Sequence, residues 1–233
     1  MFQFEPIGYV SSPFKEKFGI PRQPGLTHSI RAQIQLLPPY NHPDTVRGLE
    51  ECSHVWIIFV FSATQDKGWQ PLVRPPRLGG NQRLGVFATR STFRPNPIGL
   101  SVAKLINIEQ QVDQLTLEIA DCDLLDGTPI LDIKPYLPYA DAITDASFTL
   151  GTPPESLAIP LIFSSQAEAV CLKAESQHNL PLKQQITEVL QCDPRPAYQK
   201  DPTRIYGIKL HDFNIRWQID DQAIHVVSID HLS

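Results

Sequence analysis

Apolar and polar residues alternate along this 233-residue chain in short runs separated by polar, proline-rich stretches. Strict alternation with a period of two is the mark of a half-buried strand. Ile30–Leu36 shows it most clearly. Phe4–Val10 reads as a short strand closed by Ser11, Ser12 and Pro13. Ser53–Phe61 is β-branched and aromatic throughout, which predicts a central strand buried on both faces. Leu84–Ala88 predicts a further strand. Leu100–Glu109 and Gln114–Ile119 predict two strands joined by a turn over Gln110–Asp113, and Ile130–Ile133 a short strand. Val46–Glu51 has room for one helical turn.

After Tyr139 the pattern changes. Ala140–Pro154 is rich in Asp, Ala, Thr and Pro and reads as a linker. Beyond it, Ala158–Phe163 resembles a strand. Helical spacing follows over Ser165–Gln177 and Pro181–Gln191, broken at Asn179. Tyr206–Leu210, Phe213–Ile219 and Ala223–Ile229 alternate again. This order predicts a second, α+β unit of about 80 residues, a common size for a small domain.

Composition strengthens the β-rich reading. The chain has 22 prolines and 12 glycines. Proline interrupts helices and confines strands to short or edge pieces. Hydrophobic residues make up 42%, enough for a real core, and the net charge of −5 argues against indiscriminate polyanion binding. Phe2–Ser12 has no secretory pattern, and the longest apolar run, Val55–Phe61, is too short to span a bilayer. The expectation is a cytoplasmic protein with no membrane segment.

Candidate chemistry lies in the loops between the strands. "IPRQPGL" holds Arg22 and Gln23 between two prolines. "RPPRLGGNQR" holds Arg74, Arg77 and Arg83. "ATRSTFRPNPIGLS" holds Arg90 and Arg94, and "DLLDGTPILDIKPYLPY" holds Asp123, Asp126, Asp132 and Lys134. Arg94 and Asn96 each precede a proline, which holds them extended, so the loop is shaped before a ligand arrives. Its donors suit carboxylate, hydroxyl or phosphate groups; surface pairing with acids is the alternative. In the C-terminal unit Pro194-Arg195-Pro196 fixes another arginine, with Tyr198 and Lys200 nearby, a pattern that suits single-stranded RNA.

Other chemistries lack their patterns. The four cysteines are scattered, with no CxxC pair and no histidine at metal-ligand spacing, so reduced, mostly buried thiols are expected. Cys52 and His54 would share one face of a strand, which leaves a weak Cys/His dyad, and with it a hydrolase, as an alternative. There is no GxGxxG, no GxxxxGK[ST] and no GxSxG.

"PFKEKFGIPRQPGL", "VRGLEECSHVWIIFVF", "RPPRLGG", "GVFATRSTFRPNPIGLS", "DLLDGTPILDIKPYLP", "QCDPRPAY" and "LHDFNIRW" together resemble the TsaA/TrmO family of tRNA (adenine-N6)-methyltransferases, over nearly the whole chain. The resemblance implies a mainly β protein. An N-terminal TsaA-like β-barrel over residues 1–142 would bind S-adenosylmethionine without a Rossmann sheet, and the smaller α+β domain over 155–233 would contact tRNA. It also implies a homodimer. The implied reaction methylates N6 of threonylcarbamoyl-adenosine at tRNA position 37, and no metal is called for. Carried over by motif, the cofactor contacts are Pro21, Arg22, Gln23, Ser62, Ala63, Arg90, Leu100, Asp126, Gly127, Thr128 and Pro129. Asp132, or Asn96 through its carbonyl, would accept the N6 proton. Arg195, Tyr198 and Lys200, then Arg74 and Arg77, are the RNA-contact candidates. A non-catalytic S-adenosylmethionine- or RNA-binding module is the other reading.

Overall fold

The computed structural model describes residues 3–75, 82–149, 156–195 and 201–232. The N-terminal half contains eight strands among these residues: β1 (Gly8–Ser11), β2 (Arg31–Leu36), β3 (His54–Val60), β4 (Leu72–Val73), β5 (Leu84–Gly85), β6 (Ile98–Gln111), β7 (Gln114–Ala120) and β8 (Pro129–Pro135). Six of them close a barrel in the order β1-β2-β7-β6-β3-β8, every neighbour antiparallel. Closure removes the unpaired edges that an open sheet would expose. β4 and β5 form a separate two-stranded ribbon.

Alternation along each strand fills the barrel interior. Val10, Ala32, Ile34, Leu36, Val55, Ile57, Phe59, Leu115, Leu117, Ile119 and Ile130 are buried there. β3 departs from its sequence reading: Val55, Ile57 and Phe59 point inward, while His54, Trp56, Ile58 and Val60 are only half-buried. A barrel strand has one face in the core and one outside, so the continuous apolar run does not mean burial on both faces. Part of the outer face is covered by a short helix, α1 (Pro138–Asp141). The Trp56 indole N–H donates to Asp141 at 2.9 Å, and Tyr136 packs against the Trp56 ring.

Boundaries moved at other elements too. The stretch from Leu84 becomes a two-residue strand followed by a 3₁₀ turn, Val86–Ala88. β6 starts at Ile98, immediately after Pro97, because a proline inside a central strand would lack a ladder donor.

The C-terminal sheet comprises β9 (Leu161–Phe163), β10 (Tyr206–Leu210), β11 (Phe213–Ile219) and β12 (Ile224–His231), in the order β10-β11-β12-β9. Two helices, α2 (Ser165–His178) and α3 (Leu182–Gln191), complete this unit. Ser164 caps α2 by accepting from the Ala167 amide at 3.1 Å, and Asn179 ends it in the left-handed conformation at φ 51°. Ala167, Cys171, Leu182, Ile186 and Leu190 pack with Tyr206, Ile208, Ile215 and Trp217 into a second core.

The segment between β1 and β2 joins the two cores. Phe14 and Ile30 are buried in the C-terminal core, with Phe18 and Ile20 against it. Phe14 also forms a bridge with Leu210, the His211 amide donates to the Pro13 carbonyl at 2.8 Å, and Lys209 N–H donates to Glu16 at 3.0 Å. A loop rich in Pro and Gly is thereby held from both sides.

Candidate functional site

Four segments of the barrel domain converge and enclose a cleft of about 270 Å³. Lys17, Ile20, Pro21, Arg22 and Gln23 come from the β1–β2 segment. Phe59 to Thr64 come from the end of β3, Arg90 and Thr92 from the loop before β6, and Leu100 from β6 itself. Asp123, Leu124, Leu125 and Thr128 come from the β7–β8 connection. The volume lies just under the ~300 Å³ at which typical small-molecule clefts begin.

The lining is mixed: Ile20, Phe59, Phe61, Leu100, Leu124 and Leu125 supply apolar wall, and Lys17, Arg22, Gln23, Arg90 and Asp123 supply polar groups. Phe59 and Phe61 meet edge to face at 5.1 Å. Arg90 donates to the side-chain carbonyl of Gln23, tying two of the loops together. Lys17 donates to the Ala63 carbonyl at 3.0 Å, and partial burial, then the charge of Lys67, lowers its pKa. Arg22 reaches across to the Arg195 carbonyl at 3.3 Å, so the C-terminal unit contacts a residue of the cleft. Asp123 accepts from the Ser101 hydroxyl at 2.6 Å. Burial raises its pKa, against the opposing pull of Ser101 and of Arg90.

The residues of "ATRSTFRPNPIGLS" divide the work between them. Thr89 Oγ donates to the Val86 carbonyl at 2.9 Å and accepts from Ser91 N–H at 3.2 Å, and Ser91 Oγ accepts from Phe93 N–H at 3.3 Å. Arg94 donates to the carbonyls of Thr89 (2.8 Å) and Val86 (3.2 Å) and lies 5.6 Å from the centre of the Phe87 ring. Hydroxyls and Arg94 therefore shape the loop, and Arg90 is left to face the cleft.

Of the cofactor contacts expected from the sequence, Pro21, Arg22, Gln23, Ser62, Ala63, Arg90, Leu100 and Thr128 line this one cleft. Asp126, Gly127 and Pro129 do not. Asp126 is bound to the Ser12 amide and to Lys15, both at 2.8 Å. Gly127, at φ 72°, donates to the Val10 carbonyl, and Pro129 begins β8 opposite Tyr9. This turn is held by β1 and the segment after it. Asp132 also lies outside the cleft lining, paired with Lys134 at 2.7 Å, and Asn96 sits on the exposed loop.

Arg195 is held by Asp193 at 2.8 Å. Arg74 is exposed beside β4, while Arg77, Tyr198 and Lys200 lie outside the described residues. No hydrogen bond joins Cys52 and His54; Ser53 Oγ meets the His54 ring nitrogen at 2.9 Å. Lys17, Thr92 and Asp123 join the cleft without having been singled out as contacts. Lys17 stands four residues before Pro21 in a segment whose path no local pattern fixes. Asp123 belongs to the acid-rich stretch before the "DGTP" turn, but only the pairing of Asp126 with Lys15 separates the roles of the two acids.

The family model described as the tRNA-methyltransferase O N-terminal domain matches residues 9–142, and that of the TrmO C-terminal domain matches residues 156–232. The tRNA (adenine(37)-N6)-methyltransferase of Escherichia coli K12 is 48% identical over 231 residues, 98% of each chain. A Pseudomonas aeruginosa protein described as a putative S-adenosylmethionine-dependent methyltransferase, RcsF, is 47% identical over 91% of this chain and 90% of its own. The crystal structure of TrmO from Pseudomonas aeruginosa superposes with a TM-score of 0.82 at 38% identity, covering 99% of both chains. The chain therefore belongs to the tRNA-methyltransferase O family.

Proposed function

We propose that this protein is an S-adenosylmethionine-dependent methyltransferase acting on N6 of adenosine 37 in tRNA, with the threonylcarbamoyl-modified base as its substrate. The observation that carries the reading is the convergence of the PRQ loop, the Arg90 loop and the end of β3 on one cleft. The donor set suits the cofactor. Two guanidinium groups on facing loops match a carboxylate. Phe59, Phe61, Leu100 and Leu124 give an apolar wall for an adenine face, and Thr128 and the Ala63 backbone add polar contacts.

When bound, S-adenosylmethionine supplies a methyl group activated by positive sulfur, which passes to the amine nitrogen as that nitrogen loses its proton. The protein's share is positioning. The proline-held loops keep Arg22, Gln23 and Arg90 in place before the ligand arrives, which lowers the entropy lost on binding. The apolar walls limit water at the reacting atoms. Asp132 is the proposed proton acceptor and Asn96 the alternative. Since Asp132 is bound to Lys134 in the single chain, this role requires the substrate or a second subunit to bring it to the base.

Arg195 and Arg74 are proposed to meet the anticodon loop, together with Tyr198, Lys200 and Arg77. A homodimer is part of the same reading: Ile98 and Leu100 are exposed beside the cleft, where a second subunit would cover them.

The test is incubation with labelled S-adenosylmethionine and tRNA with or without the threonylcarbamoyl group, followed by nucleoside analysis. Methylated threonylcarbamoyl-adenosine only from the modified tRNA is expected; label in neither tRNA overturns the reading. In single turnover, Asp132→Asn is expected to slow transfer about 100-fold with cofactor affinity near normal. Unchanged turnover removes Asp132 from the mechanism.

A further inference from the structure

Asp123 is the one acidic side chain among the residues that line the cleft, beside three basic ones, Lys17, Arg22 and Arg90. Its Oδ1 is fixed by the buried Ser101 hydroxyl at 2.6 Å, and its own backbone N–H also donates to the carboxylate. No lysine or arginine among the described residues forms an ion pair with it; Arg90 turns to Gln23 instead. The other two acids of this connection are engaged elsewhere: Asp126 by Lys15 and the Ser12 amide, and Asp121 by the His28 ring nitrogen at 3.1 Å. Asp123 is thus a half-buried carboxylate with no ion-pair partner among the described residues, in a cleft that Phe59, Leu100 and Leu124 also line. A carboxylate removed from water without a partner is unfavourable, and a cation arriving with the ligand relieves that.

Resting on the reading of the cleft as an S-adenosylmethionine site, we infer that Asp123 faces the sulfonium of the bound methyl donor and makes the cleft prefer the charged donor over its neutral thioether product. A sulfonium has no N–H to donate, so only charge can recognise it. A charge acts more strongly where water is partly excluded, and Asp123 is half-buried in the cleft lining. The ammonium of the same ligand can be met instead by carbonyl groups of the loops. The preference would help the product to leave once the methyl is gone, because the positive charge that Asp123 holds leaves with the transfer.

The experiment is calorimetric titration of the full-length protein with S-adenosylmethionine and, separately, S-adenosylhomocysteine, at pH 8. Asp123→Asn keeps the shape and can still accept from Ser101. It is expected to raise the Kd for S-adenosylmethionine roughly ten-fold or more and that for S-adenosylhomocysteine less than about three-fold. Asp123→Ala, a second neutral variant, is expected to narrow the ratio in the same way and serves if the Asn form does not fold. Equal weakening of both ligands, or of neither, overturns the assignment of Asp123 while leaving the cleft reading intact. A native protein that binds neither ligand overturns both.

Discussion

At the scale of single residues, close approach decides more than composition does. A Cβ on Gly99 would stand 2.3 Å from the ring of Phe59, its partner across β6 and β3. Phe59 both fills the barrel and lines the cleft, so its ring has little freedom to move away. Gly99→Ala is expected to destabilise the protein by about 1–3 kcal/mol and to weaken ligand binding with it, read by thermal unfolding and titration. A native-like melting temperature would mean that the ring yields. The buried thiols show the same power of surroundings. Burial pushes the Cys122 thiol up to about 12, so in the folded state it stays protonated at neutral pH and unfit as a nucleophile.

At the scale of elements, the loop before β6 behaves as a small structure of its own. Arg94 is not among the residues that line the cleft, yet it holds the Thr89 and Val86 carbonyls just before Arg90. Hydrogen bonds from a charged donor contribute roughly 1.5–3 kcal/mol. Arg94→Ala is therefore expected to weaken cofactor binding about ten-fold with only a small loss of global stability, since the barrel ladders stay intact. Titration beside a denaturation curve checks this, and unaltered binding would show that prolines 95 and 97 shape the loop without help.

Much of this level was legible in the sequence. The alternation of β2, the prolines on either side of Asn96 and the break at Asn179 each have a local cause. What alternation could not supply was the outer face of β3. An apolar run looks the same whether covered by a sheet, by α1 or by little, because periodicity reports polarity and not neighbours.

Across the whole molecule, the β1–β2 segment couples the two cores. Phe14 is 2% exposed and sits in the C-terminal core, though it lies only seven residues before Pro21 of the cleft. Truncating a buried Phe typically costs about 3–5 kcal/mol. Phe14→Ala is expected to loosen β10 to β12 and the PRQ loop together. Hydrogen exchange would show faster amides in both, and cofactor affinity would fall. Loss of protection confined to the C-terminal sheet would mean that the loop is held by the barrel alone. No helix among the described residues is long and apolar enough to cross a membrane.

Local chemistry by itself determined that this chain is built mainly of strands, that its polar loops are stiffened by proline, and that Arg22, Gln23 and Arg90 lie on those loops. Those properties reside in φ restriction, side-chain alternation and charge, all written within a few residues of one another. Only the tertiary structure decided which acids serve the cleft and which brace it. Asp123 and Asp126 are three residues apart with the same carboxylate. Lys15 and the Ser12 amide claim one, while the other is held by Ser101 on the cleft lining with no ion-pair partner among the described residues. Those partners arrive from the segment after β1 and from β6, more than twenty residues and as many as 114 away, and a contact across that separation leaves no local trace in sequence.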